Sequence, residues 1–355
     1  RLRNRFPYDR MTLIKLFEGS MNKQKPVRLR DLAFELNLSV STVSRAMSGK
    51  GRISEKTRMR VLQAIKQSSY TPNDVARSLR MQNAMSLGII VTDITNSFFG
   101  SVIKGAQDVS RKMGYSILLS NSDENALYEA EAMQLMLEKQ VSGLILASVG
   151  NNFSKIDQFK HLNIPVVFID NTPESQAEFD SVSADNHKAA YCLTTRLIEK
   201  GYREIGMITG PLNQSSGRQR YEGFLSAMKE HGFPLRNEWI REGDFQLESG
   251  RALMYDILKT NPPPRAMIIS NNYMTYGAVR AIKETGKTIP DDLALASFDT
   301  DDPTSLSSPT IASMNQPAVE IGTKAAEILI NRLSAKQALP HANLILEPVF
   351  TDGNS

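Results

Sequence analysis

A single cysteine, Cys192, stands among 355 residues, so no internal disulfide can form, which fits a reducing compartment. It lies on the apolar face of AAYCLTTRLI and reads as a core residue. No apolar run approaches the ~20 residues that a membrane-spanning helix needs. The four histidines (His161, His187, His231, His341) are too scattered for the ligand spacing of a zinc site. Neither a GxGxxG turn nor a phosphate-binding P-loop is present. The acidic run Asp299-Thr300-Asp301-Asp302 lacks the spaced oxygens and the glycine of a calcium loop, and reads as a capping or pocket loop. Nothing assembles a nucleophile, a base and an orienting acid. These absences argue against an enzyme and call for no metal and no cofactor. The first twenty residues are basic, yet their apolar stretch is short and has no cleavage pattern of a secretory signal. Met21 reads as the candidate start. Residues 1–20 are set aside as an N-terminal extension, upstream or non-native.

The length predicts two or three domains. The net charge of +4 is unevenly spread. Residues 21–85 carry thirteen Lys/Arg against four Asp/Glu, a net +9, and residues 1–20 add +3, which leaves −8 for residues 86–355. A small basic head on a large acidic body points to a polyanion as the partner of the head alone.

Within the head, LRDLAFELNLSVSTVSRAM (residues 29–47) reads as two short helices around a tight turn. Leu29, Leu32, Ala33 and Leu36 recur at helical spacing. Asn37-Leu38-Ser39 breaks the pattern, since Asn tolerates positive φ and Ser39 suits a helix N-cap. In the second helix Val43, Ala46 and Met47 pack inward, while Ser41, Ser44 and Arg45 share the outer face. Such a helix-turn-helix with a polar, cationic outer face can enter a DNA major groove. After the loop Ser48–Arg52, Ser54 caps a third helix to about Ser68, with Val61, Leu62 and Ile65 inward. Tyr70-Thr71-Pro72-Asn73 makes a turn. Residues 74–80 (DVARSLR) form a short helical segment, marginal alone, in a hinge and linker over residues 72–85.

From Leu87 the pattern changes to alternating strands and helices. Strands are expected at 87–91, 116–119, 144–147, 166–169, 205–208, 266–269 and 293–297, with helices between them, among them 127–139, 188–200, 218–230 and 274–284. This alternation predicts parallel sheets covered on both faces. More than ten elements exceed one ordinary sheet, so two doubly wound α/β lobes with a cleft are expected over residues 86–355.

The run from Val27 to Arg80, with TVSRAM and YTPNDVARSL, resembles the lactose-repressor (LacI/GalR) family of bacterial transcription regulators. NSFF, RQRYEGF, SNNYMTYGAVRAI, PDDLALASFD and TIASMNQPAVEIG extend the likeness through the body, over nearly all of residues 21–352. The resemblance implies an all-α headpiece (21–71), a hinge helix, and a two-lobed core similar to type I periplasmic binding proteins. It places Val40, Ser41 and Arg45 at base-reading positions, where Arg45 can make a bidentate contact to guanine. Thr42 and Ser44 fall on phosphates. Leu79 matches a leucine wedged into the minor groove, with Arg80 beside it and Asn73 in the same DNA-contacting segment. Two positions depart from the pattern: Arg28 where Thr or Ser caps the first helix, and Asn37 where the turn usually has Gly.

The cleft residues gather at strand ends: Asp93, Phe98 and Phe99; Asn121 and Asp123; Asp170; Arg218; Asn271 and Asn272; Asp299. Carboxylates and amides hold hydroxyls, and an aromatic ring stacks on a sugar or base. By resemblance Asp170, Arg218, Asn271 and Asp299 match effector positions, and Phe98 and Phe99 an aromatic wall. Asp93, Asn121, Asp123 and Asn272 serve equally well as loop caps. The expected protein is a cytoplasmic, homodimeric repressor that binds a pseudo-palindromic double-stranded operator and has no membrane partner. Its small-molecule effector is expected to be a sugar or polyol, with a nucleoside or sugar acid left open. The chain ends without a further heptad helix, which argues against a tetramerisation element.

Overall fold

The computed structural model describes residues 29–48, 53–68, 85–150, 152–172, 178–300 and 310–353. The chain divides into two compact units after Gln82. The expected hinge at 72–85 lies outside the described residues except for Met85, and so do Arg28, Asn73, Leu79 and Arg80.

The head contains α1 (Leu29–Glu35), α2 (Val40–Ser48) and α3 (Glu55–Gln67). Leu32, Ala33, Leu36, Val43, Ala46 and Val61 form its core. Asn37 takes φ +53°, the left-handed conformation that the turn requires. Its amide donates to the Phe34 carbonyl at 3.0 Å and the Leu38 amide to the Ala33 carbonyl at 2.9 Å, the paired bonds of a Schellman stop. Arg60 of α3 donates to the Leu36 carbonyl at 2.7 Å, which ties the third helix to the end of the first. Ser54 caps α3 by accepting from the Thr57 amide at 3.2 Å. Leu62 departs from expectation. It is 36% exposed, because the inward stripe runs Val61, Ala64, Ile65 and Leu62 falls beside it.

The second unit holds two lobes. The first is built from β1 (Ser86–Val91), α4 (Ser97–Lys112), β2 (Ser116–Asn121), α5 (Ala126–Glu138), β3 (Gly143–Leu146), α6 (Phe153–His161), β4 (Val166–Ile169) and β5 (Asp180–Ala184). The second follows with α7 (Asn186–Glu199), β6 (Ile205–Thr209), α8 (Ser215–Glu230), β7 (Ile240–Glu242), α9 (Leu247–Leu258), β8 (Ala266–Ile269), α10 (Asn272–Glu284), β9 (Ala294–Phe298) and β10 (Ala312–Asn315). The chain then returns as α11 (Ala318–Ser334) and β11 (Asn343–Leu346) to the first lobe, and ends as β12 (Val349–Thr351) in the second. It therefore crosses between lobes three times. Strand order is 11-5-4-3-1-2 in one sheet and 12-10-9-8-6-7 in the other. All pairings are parallel except β10 with β12.

Strands β3, β4, β6, β8 and β9 are buried along their whole length, as expected of apolar runs covered by helices on both faces. Helices α4 and α11 cross closely over the first sheet because a Cβ at Gly105 would overlap the Val319 carbonyl and one at Gly322 the Val102 carbonyl. Each expected strand run falls on an observed strand, within a residue or two at its ends. Five strands escaped the sequence: β5, β7, β10, β11 and β12. They are short, and several are polar. The first residue of β5, Asp180, is buried where Arg332 meets it in a bidentate ion pair and the Ala342 amide donates to it at 2.8 Å.

Candidate DNA-reading head and ligand cleft

The outer face of α2 is organised by Ser39. Its Oγ accepts from the Thr42 amide at 3.1 Å and lies 2.8 Å from the Thr42 hydroxyl and 2.9 Å from that of Ser41. This cap fixes where the helix starts and hence which side chains lead it. Ser41 and Arg45 are exposed; Thr42 and Ser44 are half-buried. Val40 is also half-buried and packs against the head's core.

The cleft lies between the carboxyl ends of the two parallel sheets, where ligands of such folds collect. Its lining includes Asp93, Phe98, Phe99, Asp170, Asn271 and Asp299 of the expected set. Arg218 is not among the lining residues, and the cation in the cleft is Arg220. Two residues along a helix turn the side chain by roughly 200°, so the neighbours in RQR face opposite ways. Arg218 points back instead, with its guanidinium 3.5 Å from the Leu212 carbonyl.

Arg220 is buried. Its Nε donates to Asn186 Oδ1 at 2.7 Å, Nη1 donates to the Ser270 carbonyl, and the guanidinium lies 4.2 Å from the centre of the Phe298 ring. Two carboxylates, one from each lobe, share its field. Burial pushes Asp170 up to about 7; Arg220 opposes that rise, while Glu124 and Asp299 add to it. Burial also raises Asp299, against the pull of Arg220 and of Gln316, whose amide N–H and side-chain Nε2 each donate to it at 2.8 Å. Burial lowers Arg220 in turn, and Asp299 and Asp170 hold it up. Asp170 and Asp299 both sit at positive φ, +60° and +56°, on the first residue after their strands.

Asn271 has two roles: its Oδ1 caps α10 at the Met274 amide, 2.9 Å away, and its Nδ2 donates to the Phe245 carbonyl at 2.8 Å. Asn272 pairs reciprocally with Asn96 of the other lobe, at 3.0 and 3.1 Å. Asp93 caps its own loop through the Thr95 amide and hydroxyl while lining the cleft. Asn121 accepts from the Ile94 amide at 3.0 Å and its Nδ2 donates to Asp123, so the two fasten loops and do not line the cavity.

Several lining residues were not legible. Glu124 was passed over for its neighbour Asp123, yet its carboxylate accepts from Gln214 Nε2 at 3.0 Å, and burial raises its pKa. Phe245 adds a third ring at φ +65°, and only a glycine at 210 leaves space for it. The DFQ run after β7 held the hint, an aromatic directly behind a capping Asp. The free space within the cleft is about 40 Å³, room for a few waters. Small-molecule pockets hold roughly 300 Å³ or more, so these lobes must part to admit a ligand. A larger groove of about 740 Å³ opens at the other end of the first lobe, beside the amino ends of β4 and β5. There Lys160 pairs with Glu178 and Arg332 with Asp180.

The first of two family models, Bacterial regulatory proteins, lacI family, matches residues 28–73. The second, Periplasmic binding proteins and sugar binding domain of LacI family, matches residues 84–351, three quarters of the chain. The chain belongs to the LacI family of bacterial regulatory proteins. It is 30% identical over 322 residues to catabolite control protein A of Priestia megaterium, covering 89% of this chain and 97% of that one. It is 32% identical to the HTH-type transcriptional repressor PurR of Klebsiella pneumoniae, over 87% of this chain and 91% of that protein. The lac repressor dimer bound to operator and an anti-inducer shares the fold, with a TM-score of 0.81 at 24% identity over 93% of this chain and 98% of that chain.

As a LacI-family member the chain is a transcription regulator with a helix-turn-helix DNA-binding region and a ligand-binding core, and its relatives are regulators, not enzymes. No helix among the described residues is long and apolar enough to cross a membrane.

Proposed function

We propose that this LacI-family regulator is a cytoplasmic, homodimeric repressor whose hold on a pseudo-palindromic operator is set by a small carbohydrate in the cleft. The supporting observation is the recognition helix: Ser39 fixes its start, Val43 and Ala46 bury its inner face, and Ser41 and Arg45 stand exposed on the outer one. Arg45 reads guanine, Val40 and Ser41 assist at base edges, and Thr42 and Ser44 hold phosphates. Asn73, Leu79 and Arg80 of the hinge segment act at the minor groove and between the two halves of the site. The division into a headpiece to residue 71, a hinge over 72–85 and a core from 86 belongs to this reading.

In the core, Asp170, Arg220, Asn271 and Asp299 supply donors and acceptors for ring hydroxyls, and Phe98, Phe99 and Phe245 supply apolar walls. Arg218 takes no part. Ligand binding shifts the balance between open and closed lobes, which the dimer passes to its two heads. Arg45→Ala is expected to abolish preference for specific over competitor DNA in gel shifts and to leave effector binding intact. Retained preference would remove Arg45 from base reading. Asp299→Ala is expected to weaken effector binding in calorimetry with the core still folded, and unchanged affinity would take it out of the pocket.

A further inference from the structure

Helix α8, which carries Arg220, has no N-cap from its own lobe. Gln214 occupies the capping position, and its side chain makes no bond to the helix amides. The cap comes across the cleft. Asn171, the residue after Asp170 at the end of β4, is buried, and its Oδ1 accepts from the Ser216 amide at 3.0 Å and the Ser216 hydroxyl at 2.7 Å. Its Nδ2 donates to Gln214 Oε1 at 2.7 Å, and Gln214 Nε2 donates onward to Glu124 at 3.0 Å. The Thr172 amide donates to Ser215 Oγ at 2.8 Å. The first turn of α8 is thus completed by side chains and backbone of the other lobe.

We propose that Asn171 is a closure latch: it caps α8 from the opposite lobe, so the helix that positions Arg220 is complete at its first turn only while the lobes are closed. Parting the lobes removes the acceptor from the Ser216 amide and leaves a helix N-terminus uncapped, which costs what loss of an N-cap ordinarily costs. The same motion separates the Asp170 carboxylate from Arg220. Asn171 is a positioning residue that acts through α8 and needs no contact with ligand. Its consequence for DNA rests on the proposed function; the latch itself does not.

The test is amide hydrogen exchange on the full-length protein without DNA or effector. Asn171→Ala is expected to speed exchange at Ser216 about fivefold, the loss of one cap, and to raise the radius of gyration measured by X-ray scattering. Asn171→Asp keeps the accepting oxygen and gives up only the donor to Gln214, so it is expected to retain protection at Ser216. Asn171→Val, similar in bulk but without an acceptor, gives the same reading should the alanine variant not fold. Unchanged exchange at Ser216 in the Ala and Val variants would overturn the latch. So would equal loss of protection in Asn171→Asp, since that would mark a general packing role. Gel shifts on the same variants address the regulator reading separately: DNA binding that ignores them would count against that reading and leave the exchange result standing.

Discussion

Arg220 and Asp170 show how a buried charge is tolerated and what it exposes to test. Asp170 is raised from the ordinary aspartate value to about 7, so the folded protein holds its proton where the unfolded chain has lost it. Stability from this group is fully present below about pH 4 and is lost as the pH rises towards 7. Asp170→Asn should therefore flatten urea-unfolding midpoints between those limits, by up to one proton of linkage. An unchanged pH slope would place the carboxylate in water. Arg220→Met should destabilise by about 2–3 kcal/mol, because it removes a buried cation and leaves two half-buried carboxylates without it. Arg218→Met should cost much less, and equal losses in denaturant melts would contradict the assignment of the cleft cation to Arg220. Both arginines were visible in RQR, but the residue types do not say which faces inward. That depends on where α8 begins, and Asn171, 45 positions upstream, helps set it by capping the Ser216 amide.

At the scale of elements, the local chemistry of the head was readable: Asn37 at positive φ, Ser39 and Ser54 as caps, and three helices with their apolar stripes, Leu62 of the third excepted. These depend on neighbours within five residues, and a sequence displays such neighbours directly. Asn37→Val, a β-branched residue forced into the left-handed region, should destabilise the head by roughly 1–2 kcal/mol in thermal melts, while Asn37→Gly should be neutral or better. Equal melting of all three proteins would show that the Schellman stop does not hold the turn. The polar strand β5 was not readable, because its burial depends on Arg332, 152 residues later. The cleft was half-readable for the same reason. Asp93, Asp170 and Asp299 announce themselves as acids after strands, whereas Glu124 and Asn96, which also bond within their own lobe, are tied to the cleft by Gln214 and Asn272 of the other lobe.

At the scale of the whole molecule, the division of charge is the plainest feature. A +9 stretch over residues 21–85 precedes a core of net −8. DNA affinity of the full chain should fall steeply with salt, with a slope near −0.9 per phosphate neutralised, and a flat dependence would contradict phosphate contacts by the head. The three chain crossings between lobes leave a hinge, and the paired contacts Asn96–Asn272 and Asn171–Ser216 span the cleft from its two lobes. Closure is thus made of hydrogen bonds that a ligand can add to or compete with. The central claim, that the cleft controls the head, is tested most directly by fluorescence anisotropy of DNA from upstream of the protein's own gene. Titrations would compare wild type with Asp299→Ala, each with and without a small molecule that raises the wild-type melting temperature. The account predicts a ligand-dependent change in DNA affinity in wild type that is lost in Asp299→Ala. An equal change in both proteins, or DNA binding indifferent to every stabilising ligand, would contradict it.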